Sequence, residues 1–191
     1  MVASIRRMSA TRWSPSVTVA AIVERDGRYL LVEEDTPEGV RLNNPAGHLE
    51  PGESPLEGVV REALEETARI FEPEALVGVY LSRFLRPATG QDVTYVRLAF
   101  CGSAGEPLPG HLLDTPIRRT LWMSPAELRA SKVRPRSELV QRCLDDHAAG
   151  RRFPLTLITT AASVHAPAAL GDVEGAGSAR DGTNARHDDC S

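Results

Sequence analysis

Residues 47–69, GHLEPGESPLEGVVREALEETAR, decide the fold because they specify a capped helix with two chemically distinct sides. Ser54, Pro55 and Glu57 predict the start of this helix. Serine and glutamate at this spacing form a capping box, and proline suits the first helical position. At about 100° per residue, the apolar side chains from Leu56 to Ile70 fall on one stripe. We therefore expect this stripe to face a hydrophobic core.

A separate edge of the same helix concentrates carboxylates. Glu62, Glu65 and Glu66 fall within one turn, where like charges repel each other by about 0.2–0.5 kcal/mol per pair. Solvated acidic faces are common on helices, so the cluster alone leaves two interpretations open. It is either an exposed polar surface or a site for a hard divalent cation such as Mg²⁺, which prefers carboxylate oxygens.

The segments around this helix alternate between strand and helix patterns. Apolar runs rich in β-branched residues predict strands; these are Val17–Val23, Tyr29–Glu33, Ala75–Phe84, Val93–Phe100 and the short Thr120–Met123. Two further helices are predicted, one opened by Ser124-Pro125 and one over Glu138–Ala149. Glycine, proline and short polar residues predict loops over 35–45, 47–54 and 101–118. Leu155–Ile158 is either a last strand or a docking segment.

Composition divides the chain into three parts. We expect a flexible N-terminal arm over residues 1–16, one domain over 17–158 and a disordered acidic tail over 159–191. Between residues 163 and 191 there are five acidic residues against two arginines, and few large apolar side chains. Such a segment buries too little surface to offset its ordering entropy. The rest of the chain is nearly neutral, which gives no support to nucleic-acid binding.

The cysteines and the apolar runs indicate a cellular compartment. Cys101, Cys143 and Cys190 lie far apart and form no C-x-x-C pair, so we expect buried thiols in a reducing compartment. No apolar segment precedes Trp13 as a signal peptide would require. No apolar run approaches the roughly 20 residues of a membrane span. We therefore expect a cytoplasmic protein with no membrane partner.

The complete string resembles the Nudix box, G-x5-E-x7-R-E-U-x-E-E-x-G-U, in which U is an apolar residue. Residues that match the box positions are Gly47, Glu53, Arg61, Glu62, Ala63, Glu65 and Glu66. This resemblance implies the Nudix fold, an α/β/α sandwich around a mixed β-sheet. It also implies hydrolysis of a nucleoside diphosphate linked to another moiety, or of a related phosphoanhydride, with Mg²⁺ or Mn²⁺.

The resemblance further implies roles for the matching residues. Glu62 and Glu66 resemble metal ligands, and Glu65 resembles a third ligand or the base that orients a metal-bound water. Glu53 resembles the auxiliary acid of the loop. Arg61 resembles the catalytic-site arginine that pairs with an acidic neighbour; we favour this scaffold role over substrate contact.

Gly47 resembles the glycine that lets the loop pass where a side chain would clash. The chain departs from the box at its end, where Ala68 replaces the late glycine and Arg69 replaces an apolar residue. Alanine in a left-handed conformation costs roughly 1–2 kcal/mol. We therefore expect the helix to continue for one or two residues, with Ile70 making the apolar contact and Arg69 pairing with Glu66.

Longer strings are similar to a group of small bacterial Nudix phosphatases, the NudJ type. These strings are VTVAAIVERDGRYLLVEE, NNPAGHLEPGE, YVRLAF, LWMSPAEL and RRFPLTLI, in this order. The resemblance covers Val17 to Ile158. It implies removal of phosphate from nucleoside triphosphates and diphosphates and from thiamine-pathway pyrophosphates, including hydroxymethylpyrimidine pyrophosphate and thiamine pyrophosphate.

Arg41, Asn44, Tyr95 and Arg97 are the candidate substrate-binding residues. Asn44 either bonds a base or phosphate or simply forms the turn before proline. Tyr95 and Arg97 alternate along a strand and should share one face. That face could stack on a ring and clamp a phosphate, or it could simply be solvated.

Four other residues have weaker assignments. We interpret His48 as loop scaffolding, although it could contact a metal-bound water. Glu106 and Asp114 are candidates for an additional metal ligand or base from beyond the box. Trp122 is interpreted as a core residue rather than a substrate platform.

The leading hypothesis is therefore a Mg²⁺-dependent phosphatase or pyrophosphatase of small-molecule phosphoanhydrides, acting as a monomer or homodimer. A house-cleaning or sugar-nucleotide Nudix enzyme is the first alternative, and it would release pyrophosphate or a nucleoside monophosphate instead of orthophosphate. A Nudix-fold binding module without catalysis is the second, and the intact acidic cluster argues against it.

Overall fold

The computed structural model describes residues 13–86 and 90–166. Most of the predicted N-terminal arm and the predicted tail from residue 167 onward lie outside these ranges. Within them the elements follow in this order: β1 Ser16–Arg25, β2 Arg28–Thr36, β3 Gly39–Asn43, β4 Ala46–His48, α1 Pro55–Thr67, β5 Phe71–Leu85, β6 Asp92–Ala104, β7 Ile117–Met123, α2 Pro125–Ala130, α3 Glu138–Ala148 and short 3₁₀ helices over Leu155–Leu157 and Ala162–Val164. None of the helices in these ranges is long and apolar enough to cross a membrane.

The strands form a mixed sheet with a division at its centre. The main order is β3-β2-β1-β6-β5, with β4 paired to β1 and β7 paired to β2. Strands β1 and β6 run parallel and the other pairs run antiparallel. β1 pairs with β2 only beside the hairpin turn, where Glu24 is opposite Tyr29 and Arg25 is opposite Arg28. Beyond that point β1 takes β4 and β2 takes β3 and β7, so the two halves of the sheet separate and leave a cleft.

Helices cover both faces of the sheet, which confirms the predicted α/β/α architecture. Alternate residues of β1 point to opposite faces. Val19 and Ala21 pack in one buried cluster with Val59 of α1. Ala20 and Ile22 pack in a second buried cluster that includes α2 and α3. The strand alternation and the apolar stripe of α1 therefore fix the layers together.

Most predicted elements are present, but some predicted loops contain strands. The loop predicted over 35–45 is wrong because β3 pairs there with β2 and also receives the segment around Pro135. The loop predicted over 47–54 begins within β4, which pairs with β1. The predicted loop over 101–118 starts too early, since β6 continues to Ala104. The first two loop predictions failed for the same reason: these segments become strands through pairing with a neighbouring strand and not through their local sequence.

The C-terminal segment docks on the domain. Leu155 and Ile158 pack against the cluster under α1, so the docking interpretation of this segment is confirmed and a last strand is wrong. Part of the predicted tail, residues 159–166, is described and contains a short 3₁₀ helix. His165 Nδ1 donates to the Gly52 carbonyl oxygen at 3.0 Å.

The end of α1 differs from our expectation. The helix stops at Thr67, and Ala68 adopts the left-handed conformation with φ 56° and ψ 24°. Its N–H donates to the Leu64 carbonyl at 2.8 Å, and its carbonyl accepts from the Leu108 N–H at 2.7 Å. The predicted helical continuation is therefore wrong because the loop after β6 bonds the helix end and fixes it there.

The side chains after this end are also placed differently. Ile70 is 53% exposed and does not make the predicted apolar contact, which Phe71 makes instead. Arg69 is buried, and its Nη1 donates to the Gly105 carbonyl at 2.6 Å. Its guanidinium lies 5.8 Å from the ring centroid of Trp122. The predicted Arg69–Glu66 pair is therefore wrong, whereas Trp122 does pack against the core.

Candidate active site

The start of α1 is built as the sequence predicts. Ser54 Oγ accepts from the Glu57 N–H at 3.2 Å, and Glu57 Oε2 accepts from the Ser54 N–H at 2.7 Å. This capping box satisfies two backbone donors that would otherwise be orphaned at the helix start. The loop from β4 and the first turn of α1 are thereby fixed to each other.

Gly47 lies directly against the acidic edge of α1. A Cβ at this position would stand 2.1 Å from Glu62 Oε1, which is shorter than any real contact. Glycine is therefore required because the strand passes over a carboxylate.

Arg61 binds this loop to the acidic edge. Its Nε and Nη2 donate to the two carboxylate oxygens of Glu53 at 3.0 and 2.8 Å. Its Nη1 donates to Glu62 Oε1 at 2.8 Å and to Glu65 Oε2 at 2.9 Å. Its Nη2 also donates to the His48 carbonyl at 3.0 Å. The hydrogen bond with Glu53 is the main cause that raises the pKa of Arg61, and it lowers the pKa of Glu53.

Glu62 and Glu66 are carboxylates that burial makes hard to ionise. Burial raises the pKa of Glu66 to about 8, although the Ala46 N–H donates to its Oε2 at 2.8 Å. Burial also raises the pKa of Glu62, and the hydrogen bond from Arg61 opposes that rise. Each of these carboxylates would be stabilised in its charged form by an additional cation close by.

The donor set fits a hard divalent cation, although its side chains are not arranged as a finished metal site. In the part of the chain that the structure describes, no three His, Cys, Asp or Glu residues form such a group. Arg61 instead donates hydrogen bonds to Glu62 and Glu65, and the Ala46 N–H donates to Glu66. Carboxylate oxygens on one helix edge, with two raised pKa values, nevertheless match the chemistry that Mg²⁺ requires.

The acidic edge opens into a cavity of about 310 Å³, which we call the acidic cavity. It is lined by Ala46, Gly47, His48, Glu50, Arg61, Glu62, Glu65, Glu66, Asp114, Thr115, Pro116 and Ile117. Asp114 reaches it because its N–H donates to the Glu65 carbonyl at 2.9 Å. Glu106 does not line this cavity and instead pairs with Arg25 at 2.9 Å. Of the two carboxylates predicted from beyond the box, only Asp114 therefore lies at the acidic edge.

A second cavity of about 540 Å³ shares the wall formed by Ala46, Gly47 and His48. We call it the arginine-lined cavity. Its remaining lining is Thr18, Glu34, Thr36, Pro37, Glu38, Arg41, Asn43, Ser82, Phe84, Arg86, Tyr95, Arg97, Arg136, Ser137 and Leu139. Three predicted substrate residues, Arg41, Tyr95 and Arg97, line it. Asn44 does not, because it is fully buried and its Oδ1 accepts from Arg97 Nη1 at 3.4 Å. The structure therefore places Asn44 behind Arg97 and not in the lining of this cavity.

Arg97 is a buried cation at the wall of this cavity. It is 8% exposed, and its guanidinium donates to the amide oxygens of Asn43 and Asn44 at 3.4 Å each. No carboxylate of the described residues lies within 4.0 Å of it as an ion-pair partner. Burial lowers the pKa of Arg97 because the charged form is poorly solvated. An anionic group in the cavity would relieve this cost.

Tyr95 belongs to an aromatic surface on the same wall. Its ring stacks on Phe84 with an interplanar angle of 10° and centroids 5.6 Å apart. Arg86 Nη2 donates to the Tyr95 hydroxyl at 2.9 Å. The predicted shared face of Tyr95 and Arg97 is present, and it faces a cavity.

Several residues of this cavity were not predicted from the sequence, chiefly Glu34, Phe84, Arg86 and Arg136. A signal existed for Glu34, since a second acidic residue continues the apolar run of β2. Nothing local marked Arg136, whose partner Glu34 lies 102 positions away.

Comparison with known proteins supports the fold. The NUDIX domain family model matches residues 13–143. Phosphatase NudJ of Escherichia coli K12 is 32% identical over 147 residues, which cover 76% of this chain and 92% of that protein. Phosphatase NudJ of Shigella boydii serotype 4 has the same identity and coverage.

Solved structures give the same result. A NUDIX hydrolase from Nitrosomonas europaea superposes with a TM-score of 0.70 at 45% identity, and the match covers 78% of this chain and 98% of that one. The NUDIX domain of Shewanella oneidensis NrtR, solved with ADP-ribose, gives a TM-score of 0.55 at 13% identity over 73% of this chain and 90% of that domain. This second likeness shows the fold alone.

Proposed function

Because the chain belongs to the Nudix family and is a hydrolase of phosphoanhydrides, we propose that it cleaves small diphosphate and triphosphate compounds at the acidic cavity with Mg²⁺. The observation that carries this proposal is the junction of two cavities. An edge of carboxylates adjoins a larger cavity that presents a buried guanidinium and an aromatic pair. This arrangement suits a substrate with a phosphate end and an organic end.

Glu62, Glu65 and Glu66 would hold the divalent cation, with Asp114 as an additional ligand from the loop before β7. Mn²⁺ is the alternative ion. When bound, Mg²⁺ would neutralise the charge of the diphosphate, polarise a phosphoryl oxygen and activate water. An acidic cavity repels a diphosphate without such a cation, so substrate binding and metal binding should be coupled.

The protein residues supply positioning and proton transfer. Arg61 and Glu53 fix the orientation of Glu62 and Glu65 against the loop. Among the acids paired with Arg61, Glu65 has the most exposed side chain, at 37%. We assign to it the role of the base that accepts the proton of the attacking water. Arg97 binds a phosphate oxygen at the junction, where the anion compensates its burial.

For the substrates we propose nucleoside triphosphates and diphosphates and the thiamine-pathway pyrophosphates, hydroxymethylpyrimidine pyrophosphate and thiamine pyrophosphate. The similarity to NudJ phosphatases supports this choice, as does a cavity of about 540 Å³ beside the acidic edge. We further propose that the protein is cytoplasmic and acts as a monomer or homodimer.

The decisive experiment is a panel of phosphoanhydrides incubated with the full chain and Mg²⁺, with orthophosphate and pyrophosphate measured separately. Orthophosphate release supports the proposal. Release of pyrophosphate or a nucleoside monophosphate would instead favour a house-cleaning or sugar-nucleotide enzyme. Glu66→Gln should reduce kcat by at least about 10²-fold, because it removes a carboxylate that stabilises the cation. No turnover of any compound by the wild type would reject the proposed function.

A further inference from the structure

Glu34 is a buried carboxylate in the wall of the arginine-lined cavity. It is 5% exposed. Its Oε2 accepts from Arg136 Nη1 at 2.6 Å. Its Oε1 is buried, and no protein group of the described residues donates a hydrogen bond to it. A buried carboxylate oxygen without a donor is unfavourable, because water solvates it in the unfolded chain. A cavity that retains such an oxygen is suited to receive a donor.

The neighbouring residue provides an internal contrast. Glu33 is also nearly buried, at 9% exposed, and it also pairs with a single arginine. Both of its oxygens accept from Arg119, at 3.2 and 3.0 Å. Glu33 does not line the cavity, since successive residues of a strand point to opposite faces. The unpartnered oxygen is therefore specific to the glutamate that faces the cavity.

Arg136 places hydrogen-bond donors directly beside this acceptor. Its backbone N–H donates to the Leu42 carbonyl at 2.8 Å, and the Leu42 N–H donates to the Arg134 carbonyl at 3.0 Å. The segment around Pro135 is thus attached to β3. A guanidinium has five N–H donors, and only Nη1 is used by Glu34. Both residues line the cavity, so its wall contains a free acceptor and free donors on two side chains that contact each other.

This pair matches one type of heterocycle edge. An exocyclic amine next to an unprotonated ring nitrogen, as in cytosine, presents a donor beside an acceptor. The corresponding keto ring, as in uracil, presents an acceptor beside an N–H. Its carbonyl oxygen would face the Glu34 carboxylate, and its N–H would face the Arg136 guanidinium, so both contacts would be repulsive. The stacked Phe84–Tyr95 pair in the same cavity provides an aromatic surface for such a ring.

We propose that Glu34 and Arg136 form a subsite that selects phosphoanhydrides carrying an amino-substituted nitrogen heterocycle over their keto counterparts. The subsite rests on the proposed function for the phosphate end of the substrate. Glu34 accepts from the amine through Oε1, and Arg136 donates to the adjacent ring nitrogen.

Equilibrium binding tests the subsite without any turnover. The probes are the α,β-methylene analogues of CDP and UDP, titrated calorimetrically into the full chain with Mg²⁺. The wild type should bind the cytosine analogue at least about tenfold more tightly. Glu34→Gln should reduce this ratio to about twofold or less, because an amide can present either its oxygen or its NH₂. The substitution should also strengthen binding of the uracil analogue, a gain that a misfolded protein would not show.

Glu33→Gln is the matched control, and it should retain the preference for cytosine. The subsite is rejected if the wild type binds both analogues equally, or if Glu33→Gln loses the preference as Glu34→Gln does. It is also rejected if Glu34→Gln weakens both analogues alike, as loss of a cation ligand would. Cytosine preference without hydrolysis of any phosphoanhydride would reject the proposed function and leave the subsite standing. Hydrolysis of phosphoanhydrides without a preference for cytosine would support the proposed function and reject the subsite.

Discussion

At the scale of single residues, Gly47 shows how closely the loop approaches the acidic edge. A Cβ there would meet Glu62 Oε1 at 2.1 Å. We expect Gly47→Ala to displace the Glu62 carboxylate and reduce kcat by about 10²-fold, because a displacement of about 1 Å in a catalytic group has that effect. The protein should remain folded, since the clash falls on a side chain and not on the backbone.

Gly105→Ala is the control for this substitution. No atom lies within 4 Å of a Cβ built on Gly105. Steady-state kinetics of both variants on one phosphoanhydride, with circular dichroism of each, check the expectation. Equal kcat values for the two variants would show that Glu62 has room to move without loss of activity.

The placement of a residue could be predicted where it depends on neighbours in the sequence, and it could not where it depends on contacts distant in the sequence. The spacing of Glu62, Glu65 and Glu66 places them on one helix edge whatever surrounds the helix. Asn44 has no such local constraint. Its burial follows from its contact with Arg97, 53 positions away, so its role in holding that guanidinium is visible only in the fold.

At the scale of elements, the end of α1 carries a cost that its start does not. Ala68 holds a left-handed conformation, which costs an L-residue roughly 1–2 kcal/mol. Glycine would remove this cost, but it would lose a buried methyl group worth about 0.8 kcal/mol and would loosen the unfolded chain. We therefore expect Ala68→Gly to change the free energy of unfolding by less than about 1 kcal/mol in either direction.

Ala63→Gly is the matched comparison, since Ala63 is equally buried but helical. It should destabilise the protein by about 2 kcal/mol, because the helix-propensity loss and the lost methyl group add. Urea unfolding of both variants measures the difference. If Ala68→Gly destabilised as much as Ala63→Gly, the left-handed alanine would carry no strain.

The two ends of α1 also show what an element's sequence determines. The capping box at Ser54 and Glu57 lies within four residues, so the start was predicted correctly. The stop depends on the N–H of Leu108, from the loop after β6, which bonds the Ala68 carbonyl. Strand β3 was missed for the same reason, because its partners on either side come from β2 and from residues near Pro135.

At the scale of the whole molecule, the layers follow from patterns but the arginine-lined cavity does not. The continuous apolar run of β1, buried from Thr18 to Val23, and the apolar stripe of α1 predict a sheet between helices. The cavity requires the division of the sheet between β1 and β2. Its Glu34–Arg136 pair requires the attachment of the segment around Pro135 to β3. The sequence pattern of each strand is compatible with an undivided sheet, so the cleft could not be inferred.

The attachment of α3 to the sheet contains a histidine that should make stability depend on pH. Tyr29 of β2 and His147 of α3 meet through the Tyr29 hydroxyl and His147 Nδ1, 2.8 Å apart. On the other side of the ring, Arg152 donates to His147 Nε2. An acceptor at Nε2 requires the neutral ring with its proton on Nδ1. Burial, and then the charge of Arg152, lower the pKa of His147 to about 4.

A histidine whose pKa is lowered in the folded protein contributes its full stabilisation only at a pH where its ring is neutral in both the folded and the unfolded chain. The unfolded chain binds a proton as the pH falls below about 6.5, whereas the folded protein resists until about pH 4. Stability contributed by neutral His147 should therefore be complete above pH 6.5 and should decline between pH 6.5 and 4. We expect the free energy of unfolding to fall more steeply from pH 7 to pH 5 in the wild type than in His147→Gln.

Urea unfolding at pH 7, 6 and 5 measures this difference, and the carboxylates that titrate in the same range are common to both proteins. His111→Gln, at an exposed histidine, should reproduce the wild-type slope. Parallel slopes for the wild type and His147→Gln would mean that His147 takes up its proton as readily in the folded protein as in the unfolded chain. In that case the contact with Arg152 would not hold the ring neutral, and the junction of α3 with β2 would be insensitive to acid.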